Sequence, residues 1–249
     1  MRILNWNTQI ASPRGVNGRF EVIHGLLTGS FSDIICLTEA YPETLPLGGY
    51  TASSGLSGWN KHERLGARKV VLWNPHYPWY DIDQIGSPYL PEGRFVSAKM
   101  RWAGLEIMVA GMCIPYHSYR YGESWGEKRK AIWQGAIEYL DALREDVLPQ
   151  ERYRRHTILL GDFNMQIPPS TYPHPSSLVN RKREQTFADW YIPTAVDYTL
   201  YSIDKPLVDH IALSLDFDVG ALRVINRLST HIQILSDHNG VLLEAVPLY

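Results

Sequence analysis

The sequence contains little cysteine, with Cys36 and Cys113 as its two thiols in 249 residues. Two cysteines this far apart provide neither a disulfide framework nor the spacing of a zinc site. A bridge between them would rarely persist in a reducing compartment. We therefore expect a reduced, cytoplasmic protein.

The chain also lacks long hydrophobic runs and a large net charge. No stretch of about 18 apolar residues is present that could span a bilayer, and the chain starts on a strand-like run rather than an apolar leader. The 24 basic and 26 acidic residues leave a net charge of −2. We therefore expect no membrane partner and no global positive field, although a local basic groove for nucleic acid is compatible with this balance.

Short apolar runs, rich in β-branched and aromatic residues, predict strands. They cover residues 2–6, 33–37, 69–73, 94–101, 106–113, 156–160, 208–213 and 240–245. Helical spacing predicts helices over 19–28 and 127–147, and stretches rich in Pro and Gly predict surface loops over 47–58, 75–91 and 168–175. Many strands with few helices favour layered α/β packing. Because candidate site residues lie on both sides of every loop, we predict a single domain over residues 1–249.

Five short polar clusters each stand at the end of an apolar, strand-like run. They are Asn5-Trp6-Asn7-Thr8-Gln9, Leu37-Thr38-Glu39, Gly161-Asp162-Phe163-Asn164, Val208-Asp209-His210 and Ser236-Asp237-His238. A strand that carries a carboxylate, amide or imidazole at its end suits an active site, because the strand is rigid and its end is accessible to solvent. Five such ends from residue 5 to residue 238 predict one pocket assembled from the whole chain.

The first group of residues suits metal and water chemistry. Glu39 ends an apolar strand and is a natural ligand for Mg²⁺, which needs only one or two carboxylates beside substrate phosphate. Asn7 and Asp237 are the other oxygen donors expected near it. Asp162 and Asn164, two apart on an extended backbone, would point to the same side and hold a water or a phosphoryl oxygen. The plainer alternatives are a solvated charge for Glu39 and an ordinary turn for 161–164.

The two Asp-His pairs suit charge stabilisation. An aspartate that accepts from one imidazole nitrogen favours the imidazolium, whose other nitrogen then donates to a developing negative charge. Neighbouring residues on a strand face opposite ways, so neither adjacent pair shares a site. We therefore predict a crossed pair in which Asp209 orients His238. His210 is then a packing residue.

Together these motifs resemble the endonuclease/exonuclease/phosphatase superfamily of metal-dependent phosphoesterases. The resemblance spans nearly the whole chain and implies a four-layer α/β sandwich, with two facing β-sheets flanked by helices and a site at one edge. It also implies roles. Glu39 would be the main metal ligand, with Asn7 near the metal or phosphate and Asp237 in support. Asp162 would orient or deprotonate the attacking water, Asn164 would bind a phosphate oxygen, and His238, held by Asp209, would stabilise the transition state.

Two positions depart from the family pattern. Gln9 replaces an aspartate found in members similar to abasic endonucleases, which weakens any second metal position. Cys113 stands where a tyrosine or histidine is expected, and a thiol is a poor hydrogen-bond donor to phosphate. Tyr116, His117 and Arg120 in the following loop are the candidates to replace it. The alternative is an aromatic surface loop without substrate contact.

The expected function is Mg²⁺-dependent hydrolysis of phosphodiester bonds in nucleic acid, with Mn²⁺ as a possible substitute. Basic residues, and aromatic residues on which bases could stack, are candidate contacts to such a substrate. They are Lys61, Arg64, Arg68, Lys69, Arg120, Arg181, Lys182, Arg183, Trp59, Trp79, Tyr80, Trp125 and Trp190. Two alternatives are left open: a phosphatase or phosphodiesterase for a small soluble ester, and a noncatalytic binding module that retained the fold.

Overall fold

The computed structural model describes residues 1–15, 18–58, 61–117, 133–167, 175–201, 203–229 and 233–249. Predicted features at Trp59, Arg120, Trp125, residues 127–132 and residues 168–174 lie outside these ranges. All elements below are numbered in chain order within the described part of the chain.

Strands form two separate sheets. The strands are β1 (Arg2–Asn7), β2 (Ile34–Ala40), β3 (Tyr50–Ser53), β4 (Arg68–Asn74), β5 (Tyr80–Asp83), β6 (Phe95–Trp102), β7 (Leu105–Cys113), β8 (Thr157–Asp162), β9 (Asp209–Leu213), β10 (Phe217–Ile225) and β11 (Gly240–Pro247). The first sheet has the order β10-β11-β1-β2-β4-β3, and the second has the order β5-β6-β7-β8-β9. Among the described strands, β1–β2 and β7–β8 are the pairs that run in parallel, so both sheets are mixed.

The helices are short. They are α1 (Arg19–Gly29), α2 (Lys61–Arg64), α3 (Gln134–Ala142) and α4 (Ser177–Thr186), and α3 continues into a π-helical turn at Leu143–Val147. The Ser176 hydroxyl caps α4 by accepting a hydrogen bond from the Val179 N–H. None of the helices in the described ranges combines the length and the apolar character that crossing a membrane requires.

Three buried apolar clusters separate the layers. The middle cluster contains residues of both sheets, such as Ile34 and Ile107, and fills the space between them. A second cluster packs α3 and α4 on the outer face of the second sheet, and a third packs α1 on the outer face of the first. Three apolar interfaces require four layers, so the expected α/β sandwich with two facing sheets and flanking helices is confirmed.

The predicted elements differ from the structure mainly at the sheet edges. All eight predicted strands are present, but β3 and β5 lie inside stretches predicted as loops, and β10 and α4 were not predicted. The prediction of one helix over 127–147 is wrong at Trp133. This residue has a left-handed φ of 70° and immediately precedes α3. A β-carbon in that conformation strains the backbone, so the helix starts only after it.

Candidate active site

The five polar clusters meet at one edge of the sandwich because of strand direction. β1 and β2 run in parallel and end together near Asn7 and Glu39, while antiparallel β11 starts beside them, just after His238. In the second sheet β8 ends at Asp162, directly opposite Asp209 at the start of antiparallel β9. The ends of both sheets therefore deliver polar side chains to one place.

A hydrogen bond joins the two sheets inside the site. Asn7 Nδ2 donates to Asp162 Oδ2 at 3.0 Å, and both residues are buried. The Asn7 side-chain oxygen accepts from the Gln9 N–H at 2.8 Å. Arg19, the first residue of α1, donates to the carbonyls of Thr8 and Gln9. The amide of Asn7 is therefore fixed at both ends, and α1 anchors the loop that follows it.

Asp162 and Asn164 come together through a turn rather than along an extended strand. The Asn164 N–H donates to Asp162 Oδ1 at 2.8 Å, and its side-chain amide donates to Asp162 Oδ2 at 3.0 Å and to the Ile114 carbonyl at 2.8 Å. Asn164 has a positive φ of 53°, which asparagine tolerates better than most residues. Both residues thus share the site, but by the turn geometry that the sequence offered as the alternative.

Gly161 makes the approach of β8 to β7 possible. Its φ is +143°, and a β-carbon at this position would lie 1.9 Å from the Met112 carbonyl oxygen. No other residue type fits without moving the backbone that presents Asp162.

His238 is held by Asp209 and by the backbone around it. Nδ1 of His238 lies 2.7 Å from Asp209 Oδ2, and Trp6 Nε1 donates to the His238 carbonyl at 3.0 Å. Nδ1 is also 4.0 Å from Asp162 Oδ1, and Nε2 is 3.8 Å from Asp237 Oδ1. Since a carboxylate only accepts, Nδ1 carries the proton that faces Asp209.

Burial and charge shift the pKa values of these groups strongly. Burial raises the pKa of Asp162 to about 7, against the opposing attraction of His238. Burial likewise raises the pKa of Asp209. Burial alone would lower the pKa of His238, but Asp162, Asp209 and Asp237 outweigh it and raise that pKa to about 10. At neutral pH the site therefore contains an imidazolium beside Asp162, whose pKa lies close to neutrality.

His210, next to Asp209, faces the opposite side of β9. Its ring is fully buried, with Nδ1 3.0 Å from the Thr194 hydroxyl and Nε2 3.0 Å from the Met165 carbonyl. A carbonyl only accepts, so Nε2 is the protonated nitrogen and Nδ1 accepts from Thr194. Burial lowers the pKa of His210 to about 4. This histidine is a neutral packing residue that ties the segment after Asn164 to β9.

Glu39 lies at the end of β2 and pairs with a lysine. Lys69 Nζ is 2.7 Å from Glu39 Oε1, and the lysine side chain is 7% exposed. The sequence placed Lys69 among the basic contacts to substrate, whereas the structure buries it against Glu39. The signal that could have revealed this pair is the register of β2 and β4, which sequence alone does not provide.

Cys113 lies at the end of β7 and is buried. Arg94 Nη1 donates to the Cys113 carbonyl at 3.0 Å and lies 3.3 Å from its sulfur. Burial raises the pKa of the Cys113 thiol to about 12, with Arg94 opposing. The thiol is thus an unreactive part of the core between the sheets.

The loop after Cys113 presents an aromatic pair. The rings of Tyr116 and His117 meet edge to face at 6.1 Å, and His117 also packs against Trp133 at 5.6 Å. This pair follows Ile114, whose carbonyl accepts from Asn164. Tyr116 and His117 thus lie two and three residues beyond that contact, and Arg120 lies outside the described residues.

Oxygen atoms dominate the groups that could hold a metal. Asp162, Asp209 and His238 offer three ligand atoms within 4.8 Å of one another, but His238 already uses Nδ1 toward Asp209. Asp209 Oδ1 is buried without a hydrogen-bond partner among the described residues. Glu39 contributes a partly exposed carboxylate, and Asp237 a half-exposed one. Carboxylate oxygens are the ligands that a hard divalent cation such as Mg²⁺ prefers.

Comparison with solved structures identifies the architecture. An endonuclease/exonuclease/phosphatase family protein from Bacteroides thetaiotaomicron aligns over 100% of this chain and 98% of its own, with a TM-score of 0.65 and 15% identity. The chain has the endonuclease/exonuclease/phosphatase fold. The endonuclease domain of TRAS1, a telomere-specific non-LTR retrotransposon, shares this fold over 99% of this chain and 98% of its own, with a TM-score of 0.62 and 18% identity.

A phosphatase shares the endonuclease/exonuclease/phosphatase fold equally well. The mannosyl-6-phosphatase Bt3783 of Bacteroides thetaiotaomicron aligns over 99% of both chains, with a TM-score of 0.65 and 15% identity. No known family model and no curated protein sequence matches the chain. The similarity is therefore one of fold.

Proposed function

We propose that this protein hydrolyses phosphodiester bonds in nucleic acid with the help of a bound divalent metal ion. The observation that carries the proposal is the convergence of Asp162, Asn7 and the Asp209–His238 pair at one edge of the sandwich. Each of these groups has a fixed orientation and a defined partner. The fold, shared with an endonuclease domain and a phosphatase, supports the same reaction class.

Asp162 is the proposed group that receives the proton of the attacking water. Its carboxylate accepts hydrogen bonds from Asn7 and Asn164, which fix its plane and leave acceptor capacity on Oδ1. A pKa of about 7 suits a general base near neutral pH. The water oxygen attacks phosphorus as its proton moves to Asp162, and the ester oxygen leaves from the opposite side. No covalent enzyme intermediate is needed.

His238 is the proposed stabiliser of the charge that develops on phosphate oxygens. Asp209 accepts the Nδ1 proton, so the imidazolium presents Nε2–H as a donor in a fixed direction. A donor that is already oriented costs no reorganisation when the charge appears. The side-chain amide of Asn164 donates to Asp162 and to the Ile114 carbonyl, so its proposed part is to orient Asp162.

Glu39 is the proposed main ligand of the metal, with Asn7 and Asp237 in support. When bound, Mg²⁺ or Mn²⁺ would neutralise phosphate charge and polarise an ester oxygen. The carboxylate oxygens of these residues suit either ion, because both prefer oxygen ligands.

Nucleic acid is the substrate that we favour, with Tyr116 and His117 as flanking aromatic groups on which a base could stack. The similarity to the TRAS1 endonuclease domain supports this choice. The similarity to a mannosyl-6-phosphatase favours a second candidate, hydrolysis of a small soluble phosphate ester. The proposed chemistry is the same in both cases.

The test is hydrolysis of a substrate panel with Mg²⁺, Mn²⁺ or EDTA. The panel contains single- and double-stranded DNA, an abasic duplex, RNA, bis-p-nitrophenyl phosphate and a sugar phosphate. Wild type is compared with Asp162→Ala, His238→Ala and the control Asp141→Ala, whose carboxylate pairs with Lys182 on the outer helices. Metal-dependent cleavage that both site variants lose and the control keeps is expected. Folded protein that cleaves no member would leave the binding module as the better interpretation.

A further inference from the structure

Lys69 lies directly opposite Glu39 in the first sheet. β4 runs antiparallel to β2, with Val70 opposite Thr38 and Arg68 opposite Ala40. Between these two pairs lie Lys69 on β4 and Glu39 on β2. Their side chains meet, with Nζ 2.7 Å from Oε1. The contact is therefore built into the strand register.

The surroundings fix both members of this pair. The Lys69 side chain is 7% exposed, and an ammonium removed from water needs a close anion. Glu39 has a positive φ of 50°, which is costly for a residue with a β-carbon and persists only where the surrounding structure enforces it. Lys69 and Glu39 are thus held in one arrangement before any ligand arrives.

This pair places a resident cation on the carboxylate that the proposed function assigns to the metal. Oε1 of Glu39 faces the ammonium, so Oε2 is the oxygen left for a divalent ion. Two cations on one carboxylate repel each other, and the repulsion is strong where water is excluded. The repulsion must weaken metal binding relative to the same site without the lysine.

We propose that Lys69 is a positioning residue that holds one oxygen of Glu39 and limits the affinity of the site for divalent metal ions. The inference rests on the proposed function only in taking Glu39 as a metal ligand. The ammonium fixes the carboxylate and neutralises it in part while the metal is absent. A metal ion then binds through the other oxygen, against the charge of Lys69.

The test is calorimetric titration with Mn²⁺ and Mg²⁺, which needs no turnover. Lys69→Met removes the charge and keeps most of the side-chain volume, and we expect it to bind Mn²⁺ at least about tenfold more tightly than wild type. Lys69→Arg keeps the charge and should stay within about threefold of wild type.

Lys99→Met is the matched control. Lys99 pairs with Glu106 at the same 2.7 Å, but at the opposite end of the second sheet, where β7 begins. Its loss should leave Mn²⁺ affinity unchanged. An equal gain in the Lys69 and Lys99 variants would reflect net charge alone and would overturn the inference.

Unchanged or weaker Mn²⁺ binding by Lys69→Met also overturns it. If Lys69→Met is unfolded, Lys69→Gln keeps a donor for Glu39 and replaces it in the same titration. Should both unfold, refolding by Mn²⁺ supports the inference, since a metal then replaces the missing cation, and failure to refold opposes it. Tighter metal binding without hydrolysis of any substrate would refute the proposed function and leave the role of Lys69 standing.

Discussion

His210 is fully buried and the His238 side chain is 14% exposed, yet the two histidines hold opposite charge states. The pKa of His238 is raised to about 10, and the pKa of His210 is lowered to about 4. Burial lowers both values, so the difference comes from their partners. Carboxylates face His238, whereas a hydroxyl and a carbonyl face His210. Partner chemistry, rather than burial, therefore sets the charge state of each histidine.

The largest expected effect separates the two histidines by activity. His238→Ala should lower kcat by about 10²–10³, the usual cost of losing a donor to developing charge. His210→Gln should keep kcat within about threefold at pH 7, because His210 faces away from the site. The measurement is hydrolysis of the best member of the substrate panel. Equal losses in the two variants would remove the distinction between them.

The second prediction concerns the effect of His210 on how the free energy of unfolding depends on pH. The folded-state pKa of His210, about 4, is below the ordinary value of 6.5, so the unfolded state binds more protons between these pH values. Its contribution to the free energy of unfolding is fully present above pH 6.5 and is lost as the pH falls to about 4. The loss is about 3 kcal/mol.

Urea unfolding of wild type and His210→Gln between pH 4 and 7 measures this contribution. The difference between the two proteins should change by that amount across the range, since all other titrating groups are shared. A difference that does not vary with pH would show that His210 is not held neutral.

The third prediction concerns Asp209, the charged partner of His238. Asp209→Asn removes a carboxylate at 2.7 Å from Nδ1, so the pKa of His238 should fall toward its ordinary value. Activity should drop roughly tenfold to a hundredfold, as when an orienting partner of a histidine is removed. NMR titration of the His238 ring reports the pKa, and hydrolysis reports the activity. An unchanged pKa would mean that Asp162 and Asp237 alone maintain the charge.

The smallest effect concerns the neutral partner of His210. Thr194→Val removes the hydroxyl that donates to Nδ1 and accepts from the Ile211 N–H. The free energy of unfolding should fall by about 1–3 kcal/mol, the cost of leaving buried polar groups unpaired. Activity should not change. Chemical denaturation beside the hydrolysis assay measures both.

Most of the strands could be predicted from the sequence because they are buried. Most side chains of the predicted strands are buried. These strands are β1, β2, β4, β6–β9 and β11. The missed strands β3, β5 and β10 lie at sheet edges, where half-exposed residues carry no strong apolar pattern. Edge strands form because a neighbour offers hydrogen bonds, and that neighbour is not visible locally.

The site residues could be identified by type, but their contacts could not. Glu39, Asp162 and His238 stand at strand ends that the apolar pattern marks. The ion pair between Glu39 and Lys69 depends on the register between β2 and β4. The hydrogen bonds between Asp162 and Asn164 depend on a turn in which Asn164 has a positive φ. Both are settled by tertiary packing rather than by local spacing.

Asn5 extends these contacts into the core. Its side-chain Nδ2, projecting from β1 of the first sheet, donates to the carbonyls of Gly161 and His210 in the second at 2.8 and 3.1 Å. The first sheet brings Asn7, Glu39 and His238, and the second brings Asp162 and Asp209. Neither sheet alone provides all of these residues. A chain with one sheet formed would hold only part of the candidate site, which is complete only when the two sheets dock in the register that Asn5 fixes.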